Sequence, residues 1–144
     1  HGQEKRHELE GIYEDLRGMA GEYEIPVWTA SQANRSALEE DVIDASKISE
    51  SYGKVMVADF VLSLSRKVQD KLAGTGRWHV IKNRFGPDGI TLPSKMNTSN
   101  GQFNIYTDTS IGGKDTQKQM DNGNEMARQM LARKYQETQS EGFE

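Results

Sequence analysis

Residues 59–93 read DFVLSLSRKVQDKLAGTGRWHVIKNRFGPDGITLP, and this stretch decides the fold of the chain. β-branched and aromatic residues cluster at 59–64 and again at 77–82, which predicts two strands. The segment between them, at 70–76, ends in Gly-Thr-Gly and predicts a turn.

A hairpin is predicted to follow the second of these strands. The Gly-Pro-Asp-Gly sequence at 86–89 favours a tight turn, and residues 90–93 predict the return strand. A further turn at 97–101 and a strand at 103–107 extend the hairpin into an antiparallel meander.

The residues before this stretch predict helices and one more strand. Apolar residues recur every three or four positions and predict a helix over about 9–24. Pro26 cannot continue a helix, and residues 25–30 (IPVWTA) predict a short strand buried on both faces. We expect a polar loop at 31–50 and a short helix at about 49–57.

The chain becomes rich in Gly, Asn, Gln, Lys and Asp after residue 107. A sparse apolar stripe predicts a weak helix over about 116–134, followed by disorder to residue 144. We therefore expect residues 1–107 to form the domain and residues 108–144 to form a polar tail.

The composition is that of a polar domain. The chain has 144 residues, of which 34% are apolar and 28% charged, and a formal net charge of -4. This length supports one hydrophobic core. Without cysteine, disulfides and thiolate metal sites are excluded. The negative net charge excludes a globally basic nucleic-acid binder and leaves only a local cationic patch.

The ends and the missing motifs of the sequence limit its functions further. The longest apolar runs are far shorter than the roughly 20 residues that span a bilayer. The chain opens at His1 without the features of a signal peptide, so we expect a piece of a longer protein. No GxxxxGK[ST] phosphate loop is present. His1, His7 and His79 lack metal-ligand spacing, so we predict no metal ligand from this chain.

A first polar cluster, Ser31-Gln32-Ala33-Asn34-Arg35, follows the predicted strand at 25–30. Ligands of open α/β sheets collect at the carboxyl ends of strands, where an amide can contact a phosphate oxygen or orient a water. The alternative is a set of polar residues that only caps a strand.

A second cluster, Lys82-Asn83-Arg84-Phe85-Gly86, ends the strand at 77–82. The two-residue period of a strand puts Lys82 and Arg84 on one side, just before a turn. A planar guanidinium fork beside a lysine point charge is suited to phosphate recognition. The alternative is a solvated hairpin edge.

Three stretches, taken together and in this order, resemble the DnaB class of hexameric, RecA-type replicative DNA helicases, in particular its phage members. They are SQxNR at 31–35, ESYGKVMVADFVLSLSR at 50–66 and KNRFGPDG at 82–89, which matches the family's K-x-R-x-G-P-x-G. The resemblance covers about residues 7–106.

The resemblance implies an ATP-driven motor that encircles one DNA strand and uses ATP and Mg²⁺. Gln32 is then the γ-phosphate sensor, and Lys82 and Arg84 reach the ATP of a neighbouring subunit, with Arg84 as the arginine finger. Such fingers accelerate phosphoryl transfer roughly 10³- to 10⁵-fold in other NTPases. The family's phosphate loop and magnesium-binding strand lie upstream of the matched region, so we expect this chain alone not to hydrolyse ATP.

The family's loop that faces single-stranded DNA precedes the ADFV-type strand, which here places it at about 47–54. Many bacterial members carry an arginine beside Glu-Ser-Gly, whereas this chain has Ser-Glu-Ser-Tyr at 49–52, so the positive charge has to come from lysine. The implied DNA-binding residues are Lys47, Ser49, Glu50, Ser51, Gly53, Lys54 and Arg35.

The fold that the resemblance implies is α/β, the C-terminal half of a RecA-like core. Strands at 27–30, 60–64 and 77–82 lie side by side and parallel, and an antiparallel meander and a weak C-terminal helix follow them. Half a sheet exposes apolar surface and an unpaired edge, so we expect the isolated piece to oligomerise or to exchange elements.

The implied partners are single-stranded DNA and further copies of the chain in a ring, a hexamer in the family. A primase and a helicase loader are further expected partners, and no membrane is expected. The expected location is the cytoplasm, or the host cytoplasm for a phage protein.

Two other functions fit the same residues. One is an ATPase of the recombinase or circadian-clock branches of the RecA superfamily, without helicase activity. The other is a non-catalytic interaction module that keeps the sheet and has lost the motor. A phosphate loop encoded upstream in the parent gene would argue against the second.

Overall fold

The computed structural model describes residues 2–33, 40–44 and 52–141. Its elements are helices α1 (Gly2–Glu22), α2 (Tyr52–Val57), α3 (Val68–Ala73) and α4 (Ile111–Glu141) and strands β1 (Phe60–Ser65), β2 (Thr75–Asn83), β3 (Thr91–Asn97) and β4 (Gln102–Ile105). The strands follow the order β1-β2-β3-β4 in one sheet. The mixed content agrees with the expected α/β class, and all four strands of the stretch from 59 to 107 are confirmed.

The chain divides into two compact units, which are described separately. Unit 1 takes its described residues from 1–63 and 79–90, and unit 2 takes them from 64–78 and 91–144. Helices α1 and α2 belong to unit 1, whereas α3, β3, β4 and α4 belong to unit 2.

The sheet is antiparallel, so the expected parallel strands of a RecA-like core are not found among the described residues. The Arg84 amide at the end of β2 donates to the Asp59 carbonyl just before β1, at 2.9 Å. Within unit 2, Ser94 faces Ile105 and Asn97 faces Gln102 across β3 and β4. The connection between β1 and β2 covers only residues 66–74, whereas a parallel crossover needs about a dozen residues or more.

Helix α1 confirms the helix predicted over 9–24, although it begins earlier, at Gly2. It ends in a left-handed residue, because Glu24 has φ 52°. The Ile25 amide donates to the Ala20 carbonyl at 3.1 Å, which is the hydrogen bond that closes a helix with such a cap. A non-glycine residue in this conformation costs roughly 1 kcal/mol, which the cap hydrogen bond offsets.

The strand predicted over 25–30 is wrong, because this segment has neither helix nor strand. A strand buried on both faces needs cover on both sides, and the Trp28 side chain is 74% exposed. Its ring meets the Phe60 ring edge to face at 6.0 Å between centroids. The segment therefore lies beside the start of β1. Most of the loop predicted over 31–50 lies outside the described residues.

Unit 2 is organised around the contact between α3 and α4. The turn predicted at 70–76 is wrong, because residues 68–73 form helix α3, which ends at Gly74 in the left-handed conformation with φ 66°. A Cβ placed on Gly123 of α4 would lie 2.7 Å from the Ala73 Cβ and 2.7 Å from the Gln69 carbonyl oxygen. The Gln119 side-chain amide donates to the Ala73 carbonyl at 2.8 Å. Glycine therefore sets how closely these helices approach.

A buried carboxylate holds α3 to β2 within unit 2. Asp70 is 1% exposed and accepts hydrogen bonds from the Lys67 amide at 2.9 Å and the Thr75 hydroxyl at 3.2 Å. The Arg77 guanidinium lies 2.7 Å from it and balances its charge. Buried charges persist when they are paired and hydrogen-bonded in this way.

Helix α4 confirms the helix predicted over 116–134 but is longer, with 31 residues. It reaches Glu141, so the predicted disorder does not begin at residue 135. Met120 on its inner face is 1% exposed, whereas every side chain from 128 to 138 is exposed. Among the described residues, no helix combines the length and the apolar character that a membrane crossing requires.

The close approach of α3 and α4 makes Gly123 sensitive to a single methyl group. We expect Gly123→Ala to lower the free energy of unfolding by about 1–3 kcal/mol, because the new Cβ meets backbone and another Cβ. Gly18→Ala is the matched control, since nothing lies within 4 Å of its Cβ position, and we expect it to raise the free energy by up to about 1 kcal/mol. Urea unfolding followed by circular dichroism measures both, and equal effects would contradict the packing at Gly123.

Candidate functional site

The predicted nucleotide-facing cations, Lys82 and Arg84, both contact the segment from Val55 to Asp59 in unit 1. Lys82 is the penultimate residue of β2, and Arg84 follows the strand after Asn83. The Lys82 Nζ donates to the Val55 and Met56 carbonyls, and the Arg84 Nη1 lies 2.8 Å from Asp59 Oδ1. The two side chains therefore point to the same side, as the two-residue period predicts.

Lys82 binds the carboxyl end of α2. Its Nζ lies 3.0 Å from the Val55 oxygen and 2.9 Å from the Met56 oxygen. These carbonyls belong to the last turn of α2, where a helix has no acceptor partners of its own and its dipole favours a cation. Arg17 of α1 donates from Nη1 to the next carbonyl, that of Val57. The last three carbonyls of this six-residue helix are thus satisfied by two cations from other elements.

Asp59 holds two arginines at once. Its Oδ1 lies 2.8 Å from Arg84 Nη1 and 3.0 Å from Arg17 Nη1. The Arg84 backbone amide also donates to the Asp59 carbonyl at 2.9 Å, so both the main chain and the side chain of Arg84 are fixed to this residue. We refer to Arg17, Asp59, Lys82 and Arg84 as the cation cluster.

The cation cluster contains three positive side chains and one negative side chain. This excess attracts an anion, and the Arg84 side chain, 47% exposed, is accessible to one from solvent. A guanidinium has five N–H donors in a fork that matches phosphate oxygens. The arrangement can therefore hold a phosphate group from outside unit 1, with Arg84 as its most exposed donor.

Hydrogen bonds in the turn after β2 hold the backbone on both sides of Arg84. The Asn83 side chain accepts from the Phe85 amide at 3.2 Å and donates to the Pro87 carbonyl at 3.2 Å. Gly89 has φ 71°, a conformation that favours glycine, and its amide donates to the Val80 carbonyl at 2.8 Å. The turn therefore lies at residues 84–86, earlier than the tight turn predicted at 86–89, and residues 87–89 have no regular secondary structure.

The first polar cluster is described only in part. Gln32, the predicted γ-phosphate sensor, is exposed and lies at the end of the irregular segment after α1. Ala33 forms an isolated bridge. Asn34 and Arg35 lie outside the described residues, so the geometry of the SQxNR motif as a whole stays a prediction.

The predicted DNA-facing loop also lies mostly outside the described residues, as do Lys47, Ser49, Glu50 and Ser51. Gly53 and Lys54 belong to the first turns of α2, whose carboxyl end Lys82 binds. The predicted helix at 49–57 is confirmed over Tyr52–Val57, and the DNA-binding roles stay predictions.

Sequence reasoning missed two members of the cation cluster, Arg17 and Asp59. Asp59 leaves a signal in the sequence, because it interrupts an otherwise apolar run, VMVADFVL, at the start of a strand. A carboxylate at such a position needs a charged partner or water. Arg17 leaves no comparable signal, since it is one of several charged residues on the polar side of α1.

In the part of the chain that the structure describes, no three His, Asp or Glu side chains come together in an arrangement that could hold a metal ion.

Comparison with known proteins shows a similarity to a phage helicase. The chain is 33% identical over 78 residues to a protein of Enterobacteria phage T4 named "DnaB-like replicative helicase". The match covers 54% of this chain and 16% of the phage protein, so the chain spans well under a fifth of that relative. No protein-family model matches the chain.

The ion pair between Asp59 and Arg84 can be measured by a double-mutant cycle. We expect a coupling energy between Asp59→Ala and Arg84→Ala of about 0.5–1 kcal/mol at low salt, because both side chains are roughly half exposed. High salt should reduce it. Urea unfolding of the four proteins gives the value, and Lys134→Ala combined with Asp59→Ala is the control pair. A coupling equal to that of the control would contradict the ion pair.

Proposed function

We propose that this chain is part of an ATP-dependent replicative DNA helicase of the DnaB type. The observation that carries the proposal is the cation cluster, in which Lys82 and Arg84 of the KxRxG motif are held side by side against residues 55–59. The similarity to the phage T4 protein supports the same class. Lys82 and Arg84 are two adjacent cations on a chain that has no phosphate loop of its own. They therefore suit a triphosphate that is bound by another segment or subunit.

Arg84 is proposed as the trans-acting arginine finger. An arginine finger supplied by a neighbouring subunit offers its donors to the transferred phosphoryl group. The ion pair with Asp59 is roughly half exposed and therefore weak, so Arg84 can leave it for a phosphate group. Lys82 is proposed to place a second positive charge at the same phosphates. If Arg84 leaves Asp59, Arg17 remains paired with that carboxylate.

Gln32 is proposed as the sensor of the γ-phosphate. The exposed position of its side chain is compatible with a ligand that comes from outside the unit. In this proposal ATP and Mg²⁺ are bound mainly by residues that this chain does not contain, and Gln32, Lys82 and Arg84 complete the site.

Helix α2 is proposed as the link between DNA and nucleotide. The proposed DNA-facing residues Lys47, Ser49, Glu50 and Ser51 precede α2 in the sequence, and Gly53 and Lys54 lie in the helix itself. Its carboxyl end is bound by Lys82 at 3.0 and 2.9 Å. A shift of this short helix on DNA binding would move the carbonyl acceptors of Lys82. Arg35 is proposed as a further DNA contact.

The proposed assembly is a ring of identical subunits around single-stranded DNA, a hexamer by analogy with the DnaB class. A primase and a helicase loader are proposed as further partners. Within unit 1 the Trp28 and Phe85 side chains are 74% and 84% exposed, and such apolar surface supports association with other chains.

The finger assignment is tested in the full-length protein, which this proposal requires to carry a phosphate loop. We expect Arg84→Ala to lower ATP turnover at least about 10³-fold while nucleotide affinity stays nearly unchanged, because a finger acts on transition-state charge. Arg133→Ala, at an exposed position of α4, is the control and should retain activity. DNA-stimulated phosphate release and binding of a fluorescent ATP analogue measure the two quantities. Unchanged turnover in Arg84→Ala would refute the assignment.

Self-association is tested on the chain itself. We expect sedimentation velocity at micromolar concentration to show dimers or larger species, because exposed apolar side chains and sheet edges favour pairing between copies. Trp28→Glu should shift the distribution towards monomer, whereas Lys134→Glu should leave it unchanged. A compact monomer of the unmodified chain would contradict the expectation.

A further inference from the structure

A second cationic surface lies in unit 2, apart from every residue that the proposed function uses. A groove of about 440 Å³, open to solvent, runs between the end of α3 and the hairpin formed by β3 and β4. Three cations, Arg66, Lys71 and Lys95, line it, and among the described residues that line it there is no aspartate or glutamate. We call it the hairpin groove. In a chain with a net charge of -4, this local excess is conspicuous.

The strand register explains how polar side chains collect on the hairpin side of the groove. Lys95 pairs with Asn104, and Asn97 pairs with Gln102. Residues two apart in a strand share a face, so these four side chains lie on one face of the hairpin. All four line the groove.

The opposite wall of the groove is anchored by Arg66 and the end of α3. The Arg66 Nε donates to the Thr75 carbonyl at 2.9 Å, which fixes the guanidinium relative to β2. Lys71 lies in the last turn of α3. The nearest carboxylate in sequence, Asp70, is buried and already pairs with Arg77 at 2.7 Å. Arg66 and Lys71 are therefore not neutralised by that carboxylate.

We propose that the hairpin groove binds a phosphate-bearing ligand, with a nucleic-acid strand as the occupant that its form favours. Arginine and lysine together recognise phosphate oxygens, and the amides of Asn97, Gln102 and Asn104 supply further donors. The groove is open rather than enclosed, which suits a chain that continues past the site. This site belongs to unit 2 and is independent of the proposed loop at 47–54 and of Arg84.

The decisive experiment compares two double charge reversals in the 144-residue chain. Lys71→Glu with Lys95→Glu changes the groove, and Lys118→Glu with Lys134→Glu changes net charge equally on α4. Fluorescence anisotropy with a labelled oligothymidylate of about 15 nucleotides measures affinity at several salt concentrations. We expect the groove variant to bind at least about tenfold more weakly, with a shallower salt dependence, since each lost phosphate contact removes about 0.7 from the slope. Equal affinities of the two variants would overturn the proposal.

Amide NMR spectra of the same chain locate the ligand and identify its source. We expect the oligonucleotide to shift the side-chain amides of Asn97, Gln102 and Asn104. Inorganic pyrophosphate at equal phosphate concentration is the second probe. Shifts with the oligonucleotide alone identify a strand site, and equal shifts with both identify a general phosphate site, which also supports the proposal. Shifts that spare these amides with both probes would refute it.

Failure of this proposal is separable from failure of the proposed function. Lys47→Ala with Lys54→Ala removes the positive charge of the proposed DNA-facing loop and leaves the groove intact. If this variant alone loses oligonucleotide binding, the loop carries the affinity and the groove proposal is wrong. If the groove variant alone loses it, the groove stands whatever the result for Arg84→Ala.

Discussion

The arrangement of unit 1 depends on the carbonyl groups at the carboxyl end of α2, which accept hydrogen bonds from two other elements. A helix of six residues cannot satisfy its last carbonyls internally, and here Lys82 of β2 and Arg17 of α1 do so. Three elements that are distant in sequence are joined at one point by charge-assisted hydrogen bonds. Asp59, two residues beyond the helix, then receives Arg17 and Arg84 on the same oxygen. Lys82 is therefore placed by the end of α2, and Arg84 by Asp59 just beyond it.

The two units use a carboxylate between cations in energetically different ways. Asp70 in unit 2 is 1% exposed, so loss of its partner Arg77 would leave a buried charge, a change that typically costs about 3–5 kcal/mol. Asp59 in unit 1 is 43% exposed, and each of its pairs is worth about 1 kcal/mol or less. The buried pair of Asp70 and Arg77 stabilises the fold of unit 2. The second arrangement, around Asp59, permits Arg84 to exchange its partner, which suits the finger role proposed for it.

The sequence predicted where the strands of residues 59–107 lie and that an antiparallel meander follows β2, but it did not predict the direction of β1 relative to β2. Strand ends at 64 and 77 leave just enough residues for a parallel crossover, whereas the observed ends at Ser65 and Thr75 do not. The connection is thus three residues shorter than predicted, and composition does not define strand ends that closely. The strand predicted around Trp28 was wrong for another reason. The apolar composition of this segment suggests burial on both faces, but the described residues do not cover it.

The candidate site was predictable where its residues are close in sequence. Lys82 and Arg84 share one strand end, so spacing alone placed them on one side, and the contacts of both with residues 55–59 agree with this. Arg17 comes from a distant helix and left no local signal. The cations of the hairpin groove are separated by up to about thirty residues, and only the position of the end of α3 beside β3 brings them together. The pairing of β3 with β4 adds the amides of Gln102 and Asn104.

Helix α4 is packed over its first half and solvated over its second. Gly123 and Met120 contact the rest of unit 2, whereas side chains from 128 to 138 face water. Most helical stability in proteins comes from tertiary packing. The second half of α4, whose side chains face water, therefore depends on the helix propensity of its own residues. Its melting should therefore be gradual and largely uncoupled from the cooperative transition of unit 2, so that thermal traces of helix content slope well before the core unfolds.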